Sequence, residues 1–106
     1  MQNDLLRFLG LMRRAGKLSV GETGTGQAAR SGQAKLILLA SDASDNARDR
    51  AEGFARRAEV PLYRMHADKS EFADALHVAG GSMAAICDEG FASALIGKFP
   101  EDLDRI

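Results

Sequence analysis

Leu9-Gly-Leu-Met-Arg-Arg-Ala-Gly-Lys-Leu-Ser-Val-Gly-Glu22, followed by Arg30-Ser-Gly-Gln-Ala-Lys-Leu-Ile-Leu-Leu-Ala-Ser-Asp42, decides how this chain folds. An apolar helical pattern stops at Gly16, and a basic turn leads into a glycine-rich second segment. Gly32 then precedes the near-continuous apolar run Leu36 to Ala40. A strand that is apolar on both faces suits a parallel or mixed sheet covered by helices on either side. The cations Arg13, Arg14, Lys17 and Arg30 collect, with the glycines, around two loops. Bare backbone and positive charge so arranged suit an anionic ligand such as RNA.

Working outward, Asn3 or Asp4 is placed to cap a first helix whose apolar positions Leu5, Leu6, Phe8, Leu9, Leu11 and Met12 follow helical spacing. Leu18 to Val20 reads as a short strand and residues 22–31 as a second helix. Gly24 and Gly26 each cost that helix about 1 kcal/mol relative to alanine, so its neighbours must hold it or its first turn must be loose. Lys35 to Ala40 is the buried central strand. Ser44 caps a third helix with Ala47, Ala51, Phe54, Ala55 and Ala58 inward. Pro61 to Met65 is a strand, and Asp68 with Glu71 forms a capping box for a fourth helix. After a loop at Val78 to Ser82, Met83 to Cys87 is a strand, and Asp88 caps a last helix carrying Phe91, Ala92, Leu95 and Ile96. Strands separated by helices predict an α/β fold, a three-layer α/β/α sandwich around a central mixed four-stranded sheet. Residues 1–97 form a single domain on this reading, and 98–106 a weakly ordered tail.

The bulk numbers narrow the function. With 106 residues the chain has room for one core and one domain. Its longest apolar run falls far below the ~20 residues of a membrane span, and no secretory signal is expected. The single cysteine, Cys87, excludes an internal disulfide and fits a reducing cytoplasm. Net charge is −1, yet residues 1–37 carry six cations against two anions and the remainder eight against thirteen. An overall acidic chain of this kind can still present a basic face.

Catalysis finds little support. Gly21-Glu-Thr-Gly-Thr-Gly26 lacks the lysine and hydroxyl residue of a nucleotide loop, having Gln27 and Ala28 there instead. His66 and His77 read as surface or capping residues, Cys87 as a small buried hydrophobe. Asp88 and Glu89 are adjacent and face different sides of a helix. No metal-ligand spacing is present, and no cofactor or enzymatic activity is expected.

Taken together, Arg14-Ala-Gly-Lys17, Gly21-Glu22, Arg30-Ser-Gly32, Ala34-Lys-Leu-Ile-Leu-Leu-Ala40 with Asp42, Val60-Pro61 and Asp88-Glu-Gly-Phe-Ala92 resemble the ribosomal protein L7Ae/L30e family, and most closely its short bacterial, YlxQ-like members. The likeness runs collinearly from about Leu9 to Leu95. It implies the sandwich fold and binding to structured RNA, often the sharply bent duplex called a kink-turn, without catalysis or cofactor.

Family members open the second helix with Gly-x-Asn-Glu and a lysine three residues later, which reach base edges of sheared G·A pairs and a phosphate. In this chain the glycine is Gly21, but Thr23 stands at the asparagine, Gly24 at the glutamate and Gln27 at the lysine. A bidentate base contact contributes ~1–3 kcal/mol of discrimination. Two lost contacts thus remove ~2–6 kcal/mol, roughly thirty- to ten-thousand-fold in affinity. Recognition through backbone and shape is the expectation that remains. The expected RNA-binding residues are Lys17, Gly21, Glu22, Thr23, Gly24, Gln27 and Arg30 at the second helix, with Val78, Ala79, Gly80 and Gly81 in the loop before the last strand. Family members often place a small apolar wedge in that loop, for which Val78 and Ala79 are the candidates. Also, Ala73 and His77 stand where bacterial relatives usually carry glycine.

The reading is a small cytoplasmic RNA-binding protein of the translation apparatus, a monomer whose partner is ribosomal or other kink-turn-like RNA, with the ribosome as a candidate platform and neither DNA nor membrane involved. The alternative is a protein-interaction module on the same fold with a degenerate RNA face.

Overall fold

Leu36–Leu39 lies at the centre of the molecule, with all four side chains buried, in a computed structural model that describes residues 2–106 apart from the side chains of Gln2 and Asn3. The elements follow in the order α1 (Gln2–Arg14), β1 (Leu18–Val20), α2 (Gly21–Arg30), β2 (Leu36–Leu39), α3 (Asp45–Ala58), β3 (Leu62–Met65), α4 (Lys69–Leu76), β4 (Met83–Ile86) and α5 (Glu89–Lys98). A 3-10 turn at Pro100–Asp102 and a last strand, β5 (Leu103–Arg105), complete the chain. The strands form one sheet in the order β1-β4-β2-β3-β5. Only β2 and β3 pair in parallel; β1 with β4, β4 with β2, and β3 with β5 are antiparallel.

Alternation along the central strands explains why both faces need cover. Leu36, Leu38, Ala84 and Ile86 face one layer, where they pack against Leu5, Leu9 and Met12 of α1, Phe72 and Leu76 of α4, and Leu95 of α5. Ile37, Leu39, Met83 and Ala85 face the other, against Ala28 of α2 and Ala47, Ala51 and Ala55 of α3. The three-layer sandwich is as expected.

Local signals set the boundaries. Asp4 falls in the first turn of α1 rather than at its cap, and the alternative cap Asn3 lies outside the described side chains. Gly16 ends that helix at φ +74°, a conformation glycine adopts without strain. The Ser44 hydroxyl accepts from the Ala47 amide at 3.1 Å. Asp68 and Glu71 form the reciprocal capping box, and Asp88 accepts from the Phe91 amide at 2.9 Å.

The sheet has five strands, not the expected four, because the segment anticipated as a loose tail closes its far edge. Leu103 is buried and pairs with Met65. The His66 amide donates to the Asp102 carbonyl, the Ile106 amide to the Leu62 carbonyl, and the Arg105 guanidinium sits 5.6 Å from the centre of the Tyr63 ring. The physical reason is pairing: β3 would otherwise leave a row of backbone donors and acceptors open.

The glycines of α2 are explained by packing. A Cβ on Gly26 would stand 3.0 Å from the Phe54 ring of α3, and one on Gly24 would lie 3.5 Å from the Ser19 side chain of β1. The helix is held by close approach to α3 and β1, which offsets its poor propensity.

Candidate nucleic-acid interface

β1 and β2 run in the same direction and β4 runs against both, so the ends of β1 and β2 and the start of β4 share one rim of the sheet. The Ala40 amide donates to the Ser82 carbonyl there, at 2.8 Å. The chain leaves β1 through Gly21 at φ +90° and enters β4 through Gly81 at φ +134°. A Cβ on Gly81 would meet the Gly21 Cα at 3.5 Å and its amide nitrogen at 3.7 Å. Two glycine backbones thus approach closely where α2 starts beside the loop before β4, with the Val20 side chain the neighbour at their edge, 3.7 Å from the same Cβ position.

The start of α2 differs from that of α3, α4 and α5. Each of those has a serine or aspartate cap, whereas the N-cap of α2 is Val20, which makes no side-chain hydrogen bond. The first amides of a helix have no intrahelical acceptor, and the helix dipole adds partial positive charge at that end. An uncapped first turn beside bare glycine backbone is chemically suited to hold a phosphate.

Side chains around this point fall into distinct groups. Glu22 is exposed and forms an ion pair with Arg50 of α3. Thr23 and Gln27 lie one turn apart on the exposed side of α2. Gly24 faces Ser19 instead. Arg30, in the last turn, folds back so that its guanidinium would lie 3.2 Å from a Cβ on Gly26, and this brings its charge nearer the start of the helix. In the neighbouring loop Ala79 and Gly80 are exposed, while Val78 packs against the core cluster and is withdrawn as a wedge.

The cations of the opening stretch do not form one patch. Lys17 precedes β1 and Gly21 follows it, which separates them by roughly 13 Å at ~3.3 Å per residue. Lys17 lines a groove at the opposite rim with Gly32, Gln33, Lys35 and Cys87. There α1 and α2 end, so a lysine offsets the negative poles of two helices. Arg13 donates to the Leu76 carbonyl at the end of α4, and Arg14 lies beside Gly10 and His77; both are in the layer away from α2. The sequence placed these four around two loops because they are near in the chain, and the sheet separates them.

Arg50, which holds Glu22, was not found by sequence reasoning, and Phe54 was read as inward-facing without its place over Gly26. Neither pairing has a local signal, since Glu22 with Arg50 and Gly26 with Phe54 are each 28 residues apart in the chain. Asp42 also belongs to this rim and accepts from the Lys69 amide at 2.9 Å. Among the described residues no group of three or more potential metal-ligating side chains occurs, and no helix is long and apolar enough to cross a membrane.

Residues 3–96 match the ribosomal protein L7Ae/L30e/S12e/Gadd45 family. The chain is 32% identical over 89 residues to the RNA-binding protein YlxQ of Enterococcus faecium, covering 82% of each chain. It is 32% identical over 89 residues to the RNA-binding protein YlxQ of Bacillus subtilis (strain 168), covering 84% of this chain and 88% of that one. A solved protein of unknown function from Bacillus halodurans C superposes with a TM-score of 0.78 at 25% identity, covering 88% of this chain and 93% of the other.

Proposed function

Since the chain belongs to the ribosomal protein L7Ae/L30e/S12e/Gadd45 family, we propose that it binds structured RNA at the rim where α2 begins. The observation that carries this reading is the uncapped first turn of α2 lying against the Gly81 backbone. Phosphate oxygens would take the first-turn amides, Thr23 and Gln27 would offer polar contacts along the exposed side of α2, and the Arg30 guanidinium would add charge. Glu22, held by Arg50, stands at the margin and repels misplaced phosphates. Ala79 and Gly80 border the site from the loop before β4, and Lys17 contributes at most at its far end.

The finer reading is that the ligand is ribosomal or kink-turn-like RNA, met in the cytoplasm by a component of the translation apparatus. Thr23 and Gly24 replace the side chains that would read base edges, and Gln27 the lysine that would approach a phosphate, so shape and backbone dominate. An electrophoretic shift tests both levels with a kink-turn duplex and a straight duplex of equal length. Both should be retained at low salt, with the bent duplex preferred by about tenfold or less, since about 1.4 kcal/mol of discrimination is tenfold. Absence of retention for any folded RNA at low salt sinks the proposal.

The same three replacements favour one second reading, a protein-interaction module using this rim. A lysate partner that survives nuclease treatment, with no RNA retained, would select it.

A further inference from the structure

Helix α1 has an apolar side that the core covers only in part. Leu5, Leu6, Leu9 and Met12 fill the core, whereas Phe8 and Leu11 lie one turn apart on an outer face, and Leu11 is 47% exposed. Single exposed apolar residues need no explanation, but Leu11 is not isolated. Phe8 makes an edge contact with Phe91 at 5.8 Å between ring centres and a tilted contact with Phe99 at 6.0 Å. Phe8 and Phe99, together with Leu11 and the end of α5, floor an open groove of about 370 Å³. That size is at the lower end of the range for sites that receive small groups, about 300–1,000 Å³.

The rim of this groove carries more positive than negative charge. Arg7, Arg14 and Lys98 surround it, with Asp4 as the only acid among its lining residues. Asp4 is engaged by Arg7 at 3.3 Å. Neither Arg14 nor Lys98 is in an ion pair among the described residues, although Arg14 also lines an adjoining groove with Glu71 and Asp74. An apolar floor within a rim of net positive charge is complementary to an apolar side chain flanked by carboxylates.

We propose that this groove docks an acidic peptide segment of a partner protein, with a leucine or aromatic side chain seated on Leu11, Phe8 and Phe99 and its carboxylates on Arg14 and Lys98. A nucleic acid fits less well. The apolar floor of Phe8, Leu11 and Phe99 gives nothing to a phosphate chain, and the rim cations surround one small groove instead of following a backbone-length track. The groove is on the layer of α1 and α5, whereas the RNA rim begins at α2 in the other layer. Both sites can therefore be filled at once, and the protein would join an RNA to an acidic partner.

The test is a nuclear magnetic resonance titration of the full chain with a synthetic peptide of alternating Glu and Asp around a central Leu-Phe pair, and with its all-lysine counterpart. The acidic peptide should shift amides of the outer face of α1 and the end of α5, with the lysine peptide at least about tenfold weaker. Leu11→Asp should weaken the acidic peptide about tenfold or more while leaving RNA retention and the melting curve unchanged, because Leu11 is exposed. The paired variant Arg14→Glu with Lys98→Glu should do the same without altering the apolar floor. The proposal is overturned by equal binding of both peptides, by no shifts at millimolar peptide, or by shifts centred on Gly21 and Gly81. It is also overturned if RNA fills the groove, or if the free chain forms a dimer that Leu11→Asp dissolves, which would make the occupant a second copy.

Discussion

Thr25 is the buried polar side chain of α2, and its hydroxyl has no hydrogen-bond partner among the described residues. A buried, unpaired hydroxyl carries its desolvation cost with no return. Thr25→Val keeps the shape and removes the oxygen, so it should raise stability by about 1 kcal/mol, or roughly 4–8 °C in Tm, as read by thermal denaturation. Gly81 is the opposite case. Its φ of +134° is a conformation that side-chain-bearing residues rarely adopt, and branches beyond a Cβ would have to fit beside the Gly21 backbone, which that Cβ would already touch at 3.5 Å. Gly81→Val should therefore cost roughly 1–3 kcal/mol of stability, and at temperatures where the variant is still folded its RNA retention should be clearly reduced. Intact RNA retention by a folded Gly81→Val chain would show that this contact does not shape the binding rim. Gly21 and Gly81 are sixty residues apart, so each could be read in sequence as a turn glycine but not as the other's neighbour.

Among elements, α2 gives the cleanest separation of stability from binding. Val20 occupies its N-cap in an extended conformation, φ −102° and ψ 142°, which an aspartate or serine cap can also adopt. Val20→Asp would place a carboxylate on the first-turn amides, stabilising the helix by about 0.5–2 kcal/mol. Part of that gain is offset by losing the packing of Val20 on the core. The melting temperature should change little, while RNA retention falls sharply because the amides are filled and the site is made negative. Val20→Ser should fall between the two chains; a Val20→Asp chain that binds RNA as well as the parent would remove α2's first turn from the interface. The same level shows what was legible beforehand. Ser44, Asp68 with Glu71, and Asp88 announce their helices because a cap acts on amides within three residues, and Leu36 to Ala40 announces a strand covered on both sides. β5 gave no such signal, since Leu-Asp-Arg at 103–105 turns only Leu103 inward and its other side chains to solvent. Leu103→Asp should accordingly cost about 2–4 kcal/mol by burying a charge at the β3 edge, measurable by urea denaturation.

At the scale of the whole molecule, charge must be read in space and not along the chain. The cations of residues 1–37 point to a basic half, yet they are divided among the outer side of α1, the rim of Lys17 and Lys35, and the single Arg30 on α2. The rim where α2 begins also carries Asp42 and Glu22. Few phosphates can then be neutralised at once, and the salt dependence of binding counts them. With about three phosphate contacts, affinity should fall roughly 20- to 40-fold between about 50 and 200 mM salt. A steep slope of the kind expected for six to ten contacts would require the separated cations to act together, with RNA wrapping from α2 across β1 to Lys17. Lys17→Ala discriminates the two arrangements directly. It should leave the slope almost unchanged if binding is confined to the rim of Gly21 and Gly81, and should lower it by about one ion if the RNA reaches the opposite rim.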